Sequence, residues 1–419
     1  MKIGIFSDTY HPDINGVVTS IKMLEKEMIA RGHEVHIFTP SKHEPTNNQN
    51  LYMVKSIPLF VAKKYDYRIA GFYSREIAKQ IKELDLDIVH TQSEFSLGMF
   101  AKIVARKFNI PFVHTYHTMW EDYVHYIIPI KGKKSIFPKR FARNFSKNFV
   151  NKSDLIIAPS KKTEKYLKYR CKVKNKEIQI IPTGIDLTPF DPANFTKKDI
   201  LKAKTDLGLN ENDKVILFIG RLAEEKSVDV ILKGFSEMLT KSQDSSLKLV
   251  IIGDGPSIDS LKELSKNLNI ENKVIFTGRQ PWEKIGLFYN IGDLFVNAST
   301  TETQGLTFIE AMAAKVPVLA KYDTNLDTII DNNKTGFFFK KDEEFAKTAL
   351  KILNSPDLIE KVKESGFEHA KLFSIKVFGD RLEEAYKKTI YNHNITKVKK
   401  EKKRLSLLKL KGLKLKSEK

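Results

Sequence analysis

The chain has 419 residues, 41% hydrophobic and 29% charged, which is typical of a soluble globular protein of two ordinary domains rather than a disordered one. A single cysteine, Cys171, excludes an internal disulfide and a cysteine-based zinc site. No apolar run reaches the roughly 18 residues of a transmembrane helix, and the first residues form a strand pattern rather than a secretory signal. The sequence therefore predicts a protein that stays in the cytoplasm.

The formal net charge is +20, and the basic residues are concentrated in two segments. Residues 397–419 contain eleven Lys or Arg against two Glu, and residues 131–152 contain eight basic residues and no acidic one. Such blocks favour polyanions, which leaves nucleic acid and an anionic membrane as candidate partners.

Short apolar runs alternate along the chain with longer amphipathic stretches. This rhythm predicts an α/β fold of parallel sheets covered by helices. A Pro- and Asp-containing linker at residues 182–194 separates two sets of runs, which indicates two doubly wound domains facing a central cleft. Strands are predicted at residues 3–6, 35–38, 88–90, 112–115, 155–158 and 178–181, and then at 215–219, 247–252, 274–277, 293–298 and 316–320.

The first strand is followed by Asn15 and Gly16, just before a helix expected to begin near Val17. A glycine at this point lets the backbone approach a phosphate, although it is also an ordinary turn residue. The G-x-G-x-x-G fingerprint is missing, which counts against a first domain that binds NAD.

Phenylalanines recur at intervals of four from residue 137 to residue 149, with basic residues beside them and no acidic residue. This pattern fits a helix lying on an anionic membrane, and its alternative is an ordinary core face. The tail repeats leucines against lysines and predicts surface binding, with a disordered solubilising end as its alternative. The predicted membrane-contact residues are Lys139, Arg140, Phe141, Arg143, Phe145, Lys147, Arg404, Lys409 and Lys411.

Two segments of the second half carry candidate chemistry. Arg221 and Lys226 follow the strand at 215–219, and the carboxyl ends of such strands are where open α/β sheets bind ligands. The guanidinium of arginine is a forked hydrogen-bond donor and the ammonium of lysine is a compact charge, and this pair suits a diphosphate. Glu302 and Glu310 flank a glycine turn between a strand and a helix, which is an anion site with carboxylates for neighbouring hydroxyls. The alternative in each case is a solvated loop.

Together these motifs resemble the retaining GT-B glycosyltransferases, in particular the large family of sucrose synthases and phosphatidylinositol mannosyltransferases. The resemblance covers residues 1–391 and includes the opening KIGIFSDTYHPDINGVVTSI, HTYHT at 114–118, IPTGID at 181–186, GRLAEEK at 220–226, GDGP at 253–256 and the paired glutamates. Residues 114–127, HTYHTMWEDYVHYI, and the basic tail look most like bacterial 1,2-diacylglycerol 3-alpha-glucosyltransferases.

The resemblance implies an N-terminal acceptor and membrane domain at residues 1–190 and a nucleotide-sugar domain at 191–373. A helix at 374–391 would return to the first domain, and a basic tail would occupy 392–419. The implied roles are Gly16 beside the diphosphate, Arg279 at the base, amides of Gln304, Gly305 and Leu306 at the phosphates, Glu310 at the ribose, Glu302 at the sugar and His117 near the donor sugar. Gln304 stands where the family often has phenylalanine, a difference that bears on the sugar pocket.

Several roles stay open at this point. Glu121 and Asp122 lie just past His117 and are candidates for contact with the acceptor hydroxyl, or simply a solvated helix start. His114 and His117 have the spacing of helical zinc ligands, but the local pattern is a strand, so no metal site is expected. No prosthetic group or essential divalent metal is expected either.

The leading prediction is a hexosyltransferase that moves glucose from UDP-glucose to diacylglycerol with retention, for membrane glycolipid synthesis. It would work as a peripheral protein on the cytoplasmic face of the cell membrane, with anionic lipids as partners and no nucleic acid. The alternatives are another donor sugar, a glycolipid acceptor, a nucleotide-sugar epimerase, and a polyanion-binding protein suggested by the charge alone.

Overall fold

The computed structural model describes residues 1–11, 13, 15–40, 49–58, 68–117, 136–174, 176–299, 302 and 304–417, with residues 136–138 and 403–417 described in their backbone alone. The chain divides into two compact units. The first unit comprises Met1–Pro182 with Phe378–Lys419, and the second unit comprises Thr183–Val377.

The first unit contains a parallel seven-stranded sheet in the order β3-β2-β1-β6-β7-β8-β9, and its strands are apolar and mostly buried because helices cover both faces. The strands are β1 (Lys2–Phe6), β2 (Glu34–Pro40), β3 (Leu51–Val54), β6 (Ile88–Thr91), β7 (Phe112–Thr115), β8 (Leu155–Ala158) and β9 (Ile178–Ile180), and a separate antiparallel pair is β4 (Ser56–Pro58) with β5 (Arg68–Ala70). The helices are α1 (Gly16–Ala30), α2 (Arg75–Leu84), α3 (Ser96–Phe108), α4 (Ile136–Val150) and α5 (Lys161–Lys165), the last continued by a π-helical turn at Tyr166–Arg170.

The second unit contains a parallel six-stranded sheet in the order β12-β11-β10-β13-β14-β15. Its strands are β10 (Lys214–Ile219), β11 (Leu247–Ile252), β12 (Val274–Gly278), β13 (Leu294–Asn297), β14 (Val318–Lys321) and β15 (Phe337–Phe339). Its helices are α6 (Lys197–Asp206), α7 (Val228–Ser242), α8 (Ile258–Asn267), α9 (Trp282–Asn290), α10 (Leu306–Ala313), α11 (Phe345–Leu353) and α12 (Pro356–Ala370).

In each sheet the order of connection reverses beside the first strand of the unit, between β1 and β6 and between β10 and β13. A crevice opens at such a reversal because the helices on its two sides run to opposite faces of the sheet, and ligands of α/β proteins bind there. All eleven predicted strands are present, each in one of the two parallel sheets. The prediction of two Rossmann-like sheets in an α/β fold is therefore confirmed.

The last helix, α13 (Ile375–Ser417), is longer than expected. Phe378, Leu382 and Tyr386 are buried in the core of the first unit, on the side that α1 covers. The sequence interpretation ended this helix at Tyr391, whereas the structure continues it through the basic tail. Lys, Glu and Leu are good helix formers, and the single Gly412 costs only about 1 kcal/mol, too little to end the helix. None of the helices in the described part of the chain combines the length and apolar character needed to cross a bilayer.

Candidate active site

Four loops meet at the carboxyl edge of the second sheet, and two of them fit together backbone to backbone. Gly253, after β11, has φ +140°, and a Cβ there would lie 1.8 Å from the carbonyl oxygen of Gly220 after β10. A Cβ on Gly255 would lie 2.2 Å from the carbonyl oxygen of Leu222. Only glycine fits at these two positions. The GDGP motif therefore holds the loop that carries Arg221 in place.

Lys226 and Glu302 form an ion pair across the crevice between β10 and β13. The Lys226 Nζ lies 2.6 Å from Oε1 of Glu302, and the side chains are 23% and 12% exposed. The residues are far apart in sequence but follow neighbouring strands, whose carboxyl ends lie at one edge of the sheet. Arg221, on the same loop as Lys226, is half-exposed and pairs with Glu225. The structure thus brings a cation and a carboxylate of the predicted site together.

Gly305 and Leu306 form the start of helix α10. Gly305 has φ +73°, and a Cβ there would lie 2.8 Å from Leu326 and 2.9 Å from Phe308, so both conformation and space require glycine. Gly305 occupies the N-cap position, and no side chain of the described residues caps the helix there. Uncapped N–H groups and the positive end of the helix favour an anion at this point.

The side chain of Gln304 is already engaged within the second unit. Its Nε2 donates to the carbonyl oxygen of Thr183 and its Oε1 accepts from the Thr183 N–H, each at 2.8 Å. Gln304 is 5% exposed. The amide thus ties the loop after β13 to the IPTGID segment, and the backbone of Gln304 is what is left for a phosphate. A phenylalanine could pack here but could not make these two hydrogen bonds.

Glu310 lies one turn further along α10 and is buried. Its Oε2 accepts a hydrogen bond of 2.7 Å from the hydroxyl of Tyr289, on helix α9. Burial raises the pKa of Glu310 to about 7, although the Tyr289 hydrogen bond opposes the shift. Sequence analysis missed Tyr289, which lies in an ordinary amphipathic stretch without a motif.

The remaining predicted donor residues are exposed. Arg279 directly follows β12, and the preceding Gly278 accepts a hydrogen bond of 3.0 Å from the N–H of Gly253. In the first unit, α1 begins at the exposed Gly16, and the side chain of Asn15 accepts from the N–H groups of Val17 and Val18 at 3.0 Å each. A Cβ on Gly16 would meet no atom of the described residues within 4 Å. Packing against this part of the chain therefore does not require glycine at this position.

His117 follows β7 in the first unit and is half-buried. Its Nε2 lies 2.6 Å from Oε1 of Gln92, at the end of β6. Burial, with a smaller contribution from the neighbouring His114, lowers the pKa of His117 to about 3, so the ring is neutral at physiological pH. His114 is not turned to the same partner, since its Nε2 lies 3.2 Å from Oε1 of Glu94. Sequence analysis missed Gln92, whose position directly after a strand was the available signal.

The predicted acceptor residues Glu121 and Asp122 lie outside the described residues. Three of the predicted membrane residues, Arg404, Lys409 and Lys411, lie in the part of helix α13 from residue 403 onward, where only the backbone is described. The phenylalanines spaced four residues apart in helix α4 do not share one environment. Phe149 is buried in the core, whereas Phe141 is 67% exposed. The alternative of an ordinary core face therefore holds for part of this set only.

Comparisons with known proteins identify the family. Glycosyltransferase Family 4 matches residues 14–189, and Glycosyl transferases group 1 matches residues 199–369. The alpha-monoglucosyldiacylglycerol synthase of Streptococcus pneumoniae is 35% identical, over 95% of this chain and 88% of the relative. The synthase of the same name from Acholeplasma laidlawii is 33% identical, over 94% of this chain and 98% of the relative.

Solved structures share the fold. The Anabaena protein HepE, solved in complex with UDP, superimposes with a TM-score of 0.72 at 16% identity, over 93% of this chain and all of that one. A sucrose-phosphate synthase from Thermosynechococcus elongatus gives a TM-score of 0.71 at 19% identity, over 93% and 99% of the two chains. Sheets, crevice and matches together define a glycosyltransferase of the GT-B fold. The chain belongs to the glycosyltransferase family that includes the two synthases, and the prediction of a hexosyltransferase enzyme is confirmed.

Glu310 provides a test of the donor site through pH. Because the pKa of Glu310 is about 7, its carboxylate is mostly protonated at pH 6 and mostly ionised at pH 8. If a ribose hydroxyl donates to the ionised form, UDP affinity should rise about tenfold from pH 6 to pH 8. Glu310→Gln should weaken UDP binding at pH 8 by about 1.5–3 kcal/mol, the value of a hydrogen bond to a charged group.

Isothermal titration calorimetry with UDP measures both effects. UDP itself titrates in this range, so the Glu310→Gln variant serves as the reference for that contribution. An unchanged affinity of Glu310→Gln at pH 8, or the same pH dependence in both proteins, would show that Glu310 is only structural.

Proposed function

We propose that this enzyme transfers glucose from UDP-glucose to the 3-hydroxyl of 1,2-diacylglycerol, with retention, and so makes α-glucosyl-diacylglycerol for membrane glycolipid synthesis. The observation that carries the proposal is the set of unlike groups at one crevice: the Lys226–Glu302 pair, the uncapped start of α10 and the buried Glu310. A nucleotide sugar has a matching sequence of anionic and hydroxyl groups. The names of the two synthases support the choice of sugar and lipid.

On the donor side, each group has a distinct task. The ammonium of Lys226 has three N–H donors, and one of them reaches Glu302. Among the described residues no second acceptor contacts it, so two N–H groups can donate to diphosphate oxygens. Arg221 and the amides at Gly305 and Leu306 add positive potential as the leaving group gains charge. Glu310 binds the ribose, and Glu302 binds hydroxyls of the sugar.

Transfer breaks the bond between the anomeric carbon and the diphosphate oxygen, and the acceptor oxygen bonds to that carbon on the same face. The acceptor proton passes to an oxygen of the leaving phosphate. A double displacement would instead need a carboxylate nucleophile at the anomeric carbon. The carboxylate of Glu302 is held by Lys226 at 2.6 Å, which supports a binding role over a nucleophilic one. The neutral ring of His117 accepts a hydrogen bond from a sugar hydroxyl.

For the lipid side, an aromatic and basic surface on the first unit supports the proposal. Phe95, at the start of α3, is 43% exposed and stacks on Phe145 of α4, with ring centroids 5.6 Å apart. Phe141 lies one turn away on the same helix, and Lys139 and Arg140 beside it are exposed. Aromatic rings flanked by cations suit the interface of an anionic membrane. This surface supports the proposal that the enzyme works as a peripheral protein, and we propose the cytoplasmic face of the membrane as its location.

A panel of donors and acceptors tests the proposal. UDP-glucose and UDP-galactose would each be supplied with vesicles containing diacylglycerol or glucosyl-diacylglycerol, and a soluble acceptor, inositol 3-phosphate, would serve as the control. We expect UDP-glucose with diacylglycerol to give the highest kcat/KM, and nuclear magnetic resonance of the product to show an α linkage. Faster turnover with UDP-galactose or with the glycolipid acceptor would replace this function by the corresponding one.

A further inference from the structure

A chain of hydrogen-bonded side chains runs through the core of the first unit and ends at His117. Gln92 is 3% exposed, and its Oε1 lies 2.6 Å from His117 Nε2 while its Nε2 lies 3.1 Å from Nε2 of His90. His90 in turn contacts the hydroxyl of Thr115 at 2.7 Å and that of Tyr386, on α13, at 2.6 Å. Both polar atoms of the Gln92 amide therefore have side-chain partners, the half-buried His117 and the buried His90.

The orientation of the Gln92 amide follows from the state of His90. Burial lowers the pKa of His90 well below its ordinary value, so the ring is neutral and has one nitrogen with a lone pair. That lone pair accepts from one of the two hydroxyls, and the Gln92 Nε2 lies 3.1 and 3.3 Å from the two ring nitrogens, so it lies over the face of the ring. An N–H group is favoured against that face, whereas a carbonyl oxygen would be repelled by it. The carbonyl oxygen thus faces His117. A carbonyl oxygen only accepts, so the contact requires the proton of the neutral His117 ring to be on Nε2.

We propose that Gln92 is a positioning residue that holds His117 in the Nε2-protonated tautomer and so leaves Nδ1 as the acceptor for a substrate hydroxyl. The catalytic part of this inference rests on the proposed function, because it requires His117 to contact the substrate. The tautomer itself does not depend on any activity. Sequence analysis did not pair Gln92 with His117, which are 25 residues apart, although they follow two neighbouring strands.

The tautomer can be observed directly. In protein labelled with ¹⁵N-histidine, the two ring nitrogens of a neutral histidine have different shifts, and the His117 signals are assigned by their loss in His117→Ala. At pH 8 we expect His117 to be protonated at Nε2 in the wild type and in Gln92→Glu, which keeps an acceptor oxygen. In Gln92→Met, which has a similar length but no acceptor oxygen, the Nδ1-protonated form should become populated. An unchanged tautomer in folded Gln92→Met would overturn the proposal.

Kinetics then test the catalytic part. We expect Gln92→Met to lower kcat about three- to tenfold, the scale of one neutral hydrogen bond, with no change in UDP affinity. In a His117→Ala background the same substitution should have no further effect, because it acts through His117. If Gln92→Met lowered kcat equally in the wild-type and His117→Ala backgrounds, Gln92 would not act through His117. If Gln92→Met does not fold, Gln92→Asn replaces that variant in both experiments. The shorter side chain moves the carbonyl oxygen away from His117 by the length of one methylene.

A wild-type kcat in His117→Ala would count against the role of His117 in the proposed function and would leave the tautomer experiment to decide the role of Gln92. The two failures are therefore distinguishable.

Discussion

Replacement of Lys226 by alanine is expected to lower kcat by about 10²-fold or more, the scale for the loss of one preorganised electrostatic stabiliser. Lys226 is the cation held at the crevice between β10 and β13, and its charge matters most when the diphosphate departs. The measurement is kcat at saturating UDP-glucose with diacylglycerol in vesicles. KM for the donor should change less, because the interaction strengthens as the bond breaks.

A matched control is available in the same unit. Lys233 also forms an ion pair, with Asp229 at 2.9 Å, but both side chains are about half-exposed on helix α7. Lys233→Ala should therefore change kcat by less than about twofold, since exposed pairs of this kind contribute little. Wild-type turnover in Lys226→Ala at saturating donor would contradict the assignment of Lys226 to the leaving group.

Removal of residues 397–419 is expected to weaken binding to anionic vesicles strongly while UDP affinity is unchanged. This segment has a net charge of +9, and a basic residue near an anionic surface contributes about 1 kcal/mol, less when salt screens it. Even a few kcal/mol would make pelleting depend steeply on phosphatidylglycerol content and on ionic strength. Activity on diacylglycerol should rise with phosphatidylglycerol content and fall with salt in the full chain.

The truncation keeps the buried N-terminal part of α13, including Tyr386, so the first unit should remain folded. A second variant, in which the lysines of residues 397–419 become glutamine, keeps the length of the chain and removes most of its charge. Both variants should lose the preference for anionic over neutral vesicles. Equal binding of the truncated and full chains to the two kinds of vesicle would reduce the segment to a solubilising end and remove one of the two physical supports for the lipid acceptor.

The arrangement of strands was predictable from sequence because buried parallel strands are continuous apolar runs. The position of Lys226 and Glu302 at one edge follows from the same pattern, since residues directly after neighbouring parallel strands lie close together. Strand β15 (Phe337–Phe339) was missed because three residues are too few to show a period. The extension of α13 was missed because a Lys- and Leu-rich segment was assigned by charge rather than by helix propensity.

The contacts that tune the site were beyond sequence reasoning. Tyr289 reaches Glu310 from another helix, and Gln304 reaches Thr183, 121 residues away in the chain. Such contacts depend on side-chain rotamers and on how helices pack, and neither is encoded in the spacing of apolar residues. The pKa of Glu310 depends on the same packing. The sequence therefore predicted which types of residue form the site. It did not predict their hydrogen-bond partners or their protonation states.

The close fit of Gly253 and Gly255 against the loop after β10 has a consequence for anyone who wishes to redesign donor preference. Any side chain at these positions would meet backbone atoms at 1.8 and 2.2 Å, so libraries that randomise them would yield mostly misfolded protein. At Gly16 a Cβ would meet none of the described residues within 4 Å, so this position can be randomised without that penalty. Mutagenesis is therefore better directed to Gly16 and to the side chains around Glu302, while the residues of the GDGP motif are left unchanged.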